Sequence, residues 1–166
     1  MRSPLAAGAP FVFLSGALAA VNLGLDEIRL PLYWRFGPSS RDLGDATYAT
    51  RAHTFIGAGL RPLAPVHVRG KRTGSDLAVS WVRRTRIGGD SWETAEVALA
   101  EDNERYEVDV MSGAVVKRTI AASVASAAYT AAQQIADFGS VQASVAVRVY
   151  QLGAVYGRGS AAAAAV

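Results

Sequence analysis

The 166-residue chain has no cysteine. That excludes a disulfide framework, thiolate metal sites and a thiol nucleophile. It has two histidines, His53 and His67, too few for a multi-histidine metal centre and a thin basis for Ser-His-Asp chemistry. Lysine is almost missing. Lys71 and Lys117 stand beside a set of arginines, and 17 basic against 14 acidic residues leave a formal charge of +3. That excess permits contact with an acidic surface without demanding it. The dense basic stripe with interleaved aromatics of a nucleic-acid binder is absent. No window approaches the ~18 uninterrupted apolar residues of a membrane-spanning helix. Hydrophobic residues make up 51% and charged residues 19%, too apolar a balance for a disordered chain. Alanine supplies about a fifth of the residues but follows no helical period, which points away from a helical protein.

What is present is strand-like. The N-terminal stretch fits two readings. Arg2, an apolar stretch and Ala17-Leu18-Ala19 fit a signal peptide with a small-x-small cleavage site. Phe11 to Leu14, the turn pair Ser15-Gly16 and the return from Ala17 to Leu23 fit a hairpin. Pro10, Ser15 and Gly16 interrupt the apolar stretch, which favours the hairpin. Glu27 to Phe36 and Tyr48 to Phe55 are further strand-like runs, separated by Gly37-Pro38-Ser39-Ser40 and the polar loop Arg41 to Asp45. Pro62 and Pro65 stiffen a connector and place a boundary after residue 64, giving a small β unit, 1–64, and a second unit, 65–166.

The second unit is more legible. Val66 starts a strand, and Leu77, Val79 and Trp81 share one face of the next. Gly88-Gly89-Asp90 is a turn, and Trp92 to Leu99 reads as another strand. Tyr106, Val108 and Val110 alternate with Glu107 and Asp109, as in a strand with one wet face. Ser112-Gly113 turns the chain into Ala114 to Ala121. Tyr129-Thr130 reads as a short strand, and Ala131 to Phe138 as a helix stopped by Gly139. Val145, Val147 and Val149 alternate again, and Gly157-Arg158-Gly159 turns. The alanines at 161–165 are weak strand formers, which argues against a final strand. About seven strands in about a hundred residues fit a β-sandwich. The expected fold class is therefore all-β.

Two resemblances extend this reading. Leu77-x-Val79-x-Trp81, Tyr106-x-Val108-x-Val110 and Val145-x-Val147-x-Val149 with Gly157-x-Gly159 resemble the second, third and sixth strands of a fibronectin type III domain. Two departures stand out. The sixth strand lacks the family's tyrosine near its start, and Gly88 to Asn103 is longer than the usual link and reads as an extra hairpin. The second resemblance spans nearly the whole chain. Pro31-Leu32-Tyr33-Trp34-Arg35-Phe36-Gly37-Pro38, Gly59 to His67, Ser80 to Trp92 and Tyr129 to Gly139 are similar to the C-terminal region of tail host specificity proteins of gene transfer agents and siphophages. That resemblance implies a virion location at the tail tip or baseplate. It also implies contacts with other tail proteins, a homo-oligomer such as a trimer around the tail axis, and attachment to a host-surface glycan. Those proteins are usually far longer.

Candidate chemistry is sparse. Asp42 and Asp45 could hold a cation, but aspartates also build turns. Glu101, Asp102 and Glu104 read as a solvated loop, which supplies neither the fixed separation nor the raised acid pKa of a catalytic carboxylate pair. Gly57-x-Gly59 lacks the Lys-Ser/Thr of a phosphate loop. His53 and His67 read as packed or surface histidines, and Trp81 as core. Arg83, Arg84 and Arg86, with Arg69, Lys71 and Arg72, could form a basic stripe for phosphate or acidic glycans. The plainer reading pairs them with Glu107 and Asp109 across strands. The binding candidates are Trp92, Asp90, Arg83, Arg84 and Arg86. The sequence calls for no catalytic residue, metal, cofactor, nucleic acid or membrane span. The expectation is a non-enzymatic tail-tip component. The alternative is a glycan-binding accessory module of a larger cell-surface protein or enzyme.

Overall fold

Alternation of large apolar and small or polar residues builds the strands that position everything else. The computed structural model describes residues 8, 9, 13, 15, 16, 18–90, 93 and 97–166. Chain contacts divide these into two units, Met1–Thr54 and Phe55–Val166.

In the first unit, β1 (Pro31–Phe36) and β2 (Ala49–Thr54) form an antiparallel pair, with Tyr33 opposite Ala52 and Trp34 opposite Arg51. No described residue of this unit is fully buried. Of the expected hairpin from Phe11 to Leu23, Phe11, Val12, Leu14 and Ala17 lie outside the described residues, and 18–24 carry no strand.

The second unit contains β3 (Val66–Thr73), β4 (Asp76–Val82), β5 (Tyr106–Ser112), β6 (Val115–Ala122), β7 (Ser126–Tyr129), α1 (Ala131–Phe138), β8 (Ala146–Gly153), β9 (Gly157–Arg158) and β10 (Ala162–Ala165). One sheet runs β3-β4-β7 and the other β10-β8-β5-β6, with β9 added to β8. Every pairing is antiparallel. The two sheets share one core. Leu77, Val79, Trp81 and Tyr129 come from the first sheet. Tyr106, Val108, Val110, Val147 and Val149 come from the second, with Val145 just before it. This is a fibronectin-III-like β-sandwich, with sheet composition and strand order as that resemblance implies.

Three expectations need correction. The alanines do form a strand, because β10 pairs with β8 from Ala162↔Val149 to Ala165↔Ala146. Val166 adds reciprocal backbone bonds with Val145 at 2.7 and 2.9 Å. Backbone pairing and two inward alanines, Ala162 and Ala164, suffice where side-chain propensity is weak. Second, Val97 to Asn103 form no strand, so their half of the expected extra hairpin is absent. Trp92 and residues 94–96 lie outside the described residues. Third, the expected wet face of β5 is largely covered. Asp109 is 2% and Met111 5% exposed, and Arg158 lies against Asp109 and the half-buried Glu107.

Chain contacts place the unit boundary ten residues before the one expected at residue 64. Pro62 and Pro65 are buried and belong to the sandwich. The Pro62 carbonyl accepts the Ser160 amide at 3.0 Å. A Cβ on Gly159 would lie 2.6 Å from that carbonyl oxygen, so only glycine lets the two backbones approach.

The helix falls where its end signals place it. Thr130 accepts the Gln133 amide, and Gln133 reaches back to the Thr130 amide, a reciprocal cap that satisfies two otherwise orphaned donors. Gly139, at φ 80°, closes the other end in the left-handed conformation.

Candidate functional site

Four of the five sequence candidates are described, and they follow directly on β4. Arg83 donates to the Ala98 carbonyl at 3.1 Å and to the Val97 carbonyl. Arg86 donates to Glu101 Oε1 at 3.0 Å and to the Ala100 carbonyl at 2.8 Å. Between them the Thr85 hydroxyl donates to the Ile87 carbonyl and accepts the Ile87 amide. Both arginines therefore clamp residues 97–101 to the end of β4. Ala100 stands at φ 59°, an uncommon backbone state for a residue with a Cβ. The clamp fixes that bend.

Arg84 and Asp90 are exposed. Arg84 lines a shallow groove of about 340 Å³ with Leu63, Arg83, Thr85, Gly89 and Val97. Trp92 lies outside the described residues. The structure thus brings Arg83, Arg84 and Arg86 together, with two of the three guanidiniums occupied by backbone carbonyls and one carboxylate.

In the acidic loop Asp102 is exposed, while Glu101 and Glu104 are held by partners. The Glu101 side chain is 7% exposed in its pair with Arg86. It seats so closely on β8 that a Cβ at Gly153 would meet its Oε2 at 2.7 Å. Glu104 accepts the Tyr106 hydroxyl at 2.8 Å. Asp45 serves a turn, accepting the Thr47 amide at 2.8 Å and its hydroxyl at 2.7 Å. These bonds, the backbone one first, hold its carboxyl below the ordinary value.

Arg86→Ala tests the clamp. It leaves Glu101 buried beside no cation and removes charge-assisted bonds worth about 1.5–3 kcal/mol each. Amide exchange across 97–101 is expected to accelerate, while β4, β5 and β8 keep their protection. Unchanged exchange in that segment would show that the clamp does not hold it.

Two polar networks were not legible as sites. Glu107 and Asp109 do not pair with the arginines after β4, since β4 and β5 belong to different sheets. Their partner is Arg158. It grips Asp109 with two bonds of 2.7 and 3.0 Å, bonds Glu107, and lies 4.5 Å over the Tyr150 ring. Thr119 donates to Asp109 at 2.6 Å. Burial pushes the Asp109 carboxyl up. The Arg158 and Thr119 bonds and the charges of Arg158 and Arg148 outweigh it, so the group sits below its ordinary value. On the helix side, Arg118 grips Asp137 at 2.7 and 2.9 Å, and the Tyr129 hydroxyl adds a bond of 2.8 Å. The only sequence signal for the first network was two acids alternating on one strand face. The counter-cation lies about fifty residues further on.

No protein-family model matches this chain, and no curated protein matches it. Similar solved structures include domains d3-d4 of the rat CD45 extracellular region. They show 12% identity and a TM-score of 0.47, over 100% of this chain and 79% of that one. The FN5 domain of Drosophila Lar shows 13% identity and a TM-score of 0.36, over 63% and 94%. The Clostridium perfringens spore cortex lytic enzyme SleM shows 10% identity and a TM-score of 0.41, over 81% and 38%. The class of the second unit, a fibronectin-III-like sandwich, follows from its own strand order and shared core.

Proposed function

We propose that this chain is a non-enzymatic structural component of the tail tip or baseplate of a siphophage or gene transfer agent. The sandwich acts as a rigid spacer, and its end loops meet other tail proteins or the host surface. The observation that carries this reading is where the four strings of the resemblance fall. Pro31 to Pro38 forms β1 and the turn after it. Gly59 to His67 holds the buried Pro62 and Pro65 and enters β3. Ser80 to Asp90 forms the end of β4 and the arginine clamp. Tyr129 to Gly139 forms the capped helix. Each string thus builds a distinct structural junction, which supports a shared architecture over separate short coincidences.

Copies around the tail axis, such as a trimer, would make ring-like heterologous contacts. Several weak sites acting together would then supply attachment. Among the described residues no helix is long and apolar enough to cross a membrane. The test is quantitative mass spectrometry of purified tailed particles from the source. Peptides of this chain at a few copies per particle are expected. Their absence from intact particles would overturn the tail-tip reading and leave the glycan-binding accessory module as the better one.

A further inference from the structure

The two outer faces of the sandwich treat their charges differently. On the β10-β8-β5-β6 sheet, Glu107 and Asp109 are matched by Arg158, and Arg148 stands opposite Asp109 in register. The β3-β4-β7 sheet has no such match. Leu77, Val79 and Trp81 point into the core, so Asp76, Ala78, Ser80 and Val82 point away from it. Register places Arg69, Ser80 and Ser126 in one row across the three strands, and Lys71, Ala78 and Ala128 in the next. All six are exposed.

Arg69 and Lys71 make no ion pair or side-chain hydrogen bond among the described residues. Of the other cations of the expected stripe, Arg84 is exposed beside a separate groove after β4, and the rest are occupied. Arg72 bonds the Gln142 carbonyl, and Arg83 and Arg86 hold the clamp. The one acid pointing outward from β4, Asp76, sits at the strand end and accepts the Ala131 amide at 2.7 Å.

A bulge shapes the same face. His67 and Val68 together oppose Trp81, between the Val66↔Val82 and Arg69↔Ser80 pairs. His67 stands exposed at φ 53°. Bulges re-aim side chains. His67, Arg69, Ser80, Trp81 and Val82 line a groove of about 310 Å³. Val82 is 53% exposed and gives the groove an apolar wall beside its cations and hydroxyl.

We propose that the outer face of the β3-β4-β7 sheet, centred on Arg69, Lys71 and the His67 bulge, binds an acidic polysaccharide. The two cations take carboxylate or sulfate groups. The serine row offers hydroxyl partners, and Val82 meets the apolar side of a sugar ring. Residues two apart on a strand are about 6.6 Å apart, so Arg69 and Lys71 reach successive charges of an extended chain. Single-stranded nucleic acid is the poorer fit, because these two rows carry no exposed aromatic ring for base stacking. This inference deepens the attachment part of the proposed function.

The test is affinity electrophoresis of the full chain through gels containing polygalacturonate, with dextran as neutral control and a single-stranded oligonucleotide in a third gel. Polygalacturonate is expected to retard the protein and dextran to leave it unaffected. Arg69→Ala and Lys71→Ala should each weaken retardation about tenfold, the scale of one charge-assisted contact. Lys117→Ala, an equal charge loss on the exposed strand β6, should not. No retardation of the wild type, an equal loss from Lys117→Ala, or equal retardation by the oligonucleotide would overturn the proposal. Retardation by polygalacturonate without peptides in particles would remove the tail-tip reading and leave this surface standing. The reverse pair of results would do the opposite.

Discussion

Trp81→Ala is expected to cost about 3–5 kcal/mol, the range for deleting a large buried aromatic side chain. Trp81 is 5% exposed and meets Tyr106 edge-on, with ring centroids 5.0 Å apart at 69°. That geometry adds about 0.5–1.5 kcal/mol beyond area burial. The pair also joins the two sheets, since Trp81 lies on β4 and Tyr106 on β5. A domain of this size has a total stability of about 5–15 kcal/mol. The loss is therefore about a fifth or more of what holds the sandwich together. Urea unfolding followed by circular dichroism should show a large fall in midpoint at unchanged slope. Trp81→Phe keeps an aromatic edge and most of the volume, and should cost much less. A fall below about 1 kcal/mol for the alanine variant would mean that the site collapses freely around the gap.

The core around Trp81 was legible because it rests on a local rule. Period-two alternation in 77–81, 106–110 and 145–149 identifies inward residues without knowledge of pairing, and all nine are in the core cluster. The helix was legible for a similar reason, since Thr130 and Gly139 act within one turn of the ends they close. Features set by long-range geometry were not legible. Whether Glu107 and Asp109 face water depends on a cation at residue 158. Whether Ala162–Ala165 form a strand depends on the β8 backbone beside them. Among the binding candidates, adjacency in sequence alone puts Arg83, Arg84 and Arg86 together after β4. It could not tell Arg83 and Arg86, held by carbonyls of 97–100, from Arg69 and Lys71, which face outward unmatched. Proline stiffness marked a boundary at 64, while contacts placed it at Thr54. A stiff segment can be part of a core as readily as a linker.

Arg158→Ala is the second substitution with a large expected effect, and its pH dependence separates it from simple loss of packing. The Asp109 side chain is 3% exposed and that of Arg158 40%. Removing the arginine strands a buried carboxylate with only the Thr119 bond and the Arg148 charge. Breaking a fully buried pair in this sense costs about 3–5 kcal/mol, and solvent access through the 40% exposed Arg158 side puts this pair at or below the lower end of that range. Asp109→Asn is milder, because the freed guanidinium is exposed enough to rehydrate and keeps Glu107. In the wild type the Asp109 carboxyl lies below its ordinary value, and Asp137, gripped first of all by Arg118, does too. Both contribute stability that is present above the unfolded value of about 3.9. It is lost as pH falls through their lower folded values. Without Arg158, burial dominates and raises the Asp109 pKa. Its ionised form then destabilises the fold at neutral pH, and protonation relieves that cost on acidification. The stability gap between wild type and Arg158→Ala should therefore be widest near pH 7, start to narrow as pH falls through the raised Asp109 value of the variant, and narrow further below about pH 4 as the wild-type contribution is lost. The Asp137 contribution is common to both proteins and cancels in the difference. Urea unfolding of the two proteins at pH 7, 5 and 3.5 measures that gap. A gap independent of pH would show that Arg158 stabilises by covering the sheet with its alkyl stem and its contact with Tyr150, and that its charge on Asp109 adds little.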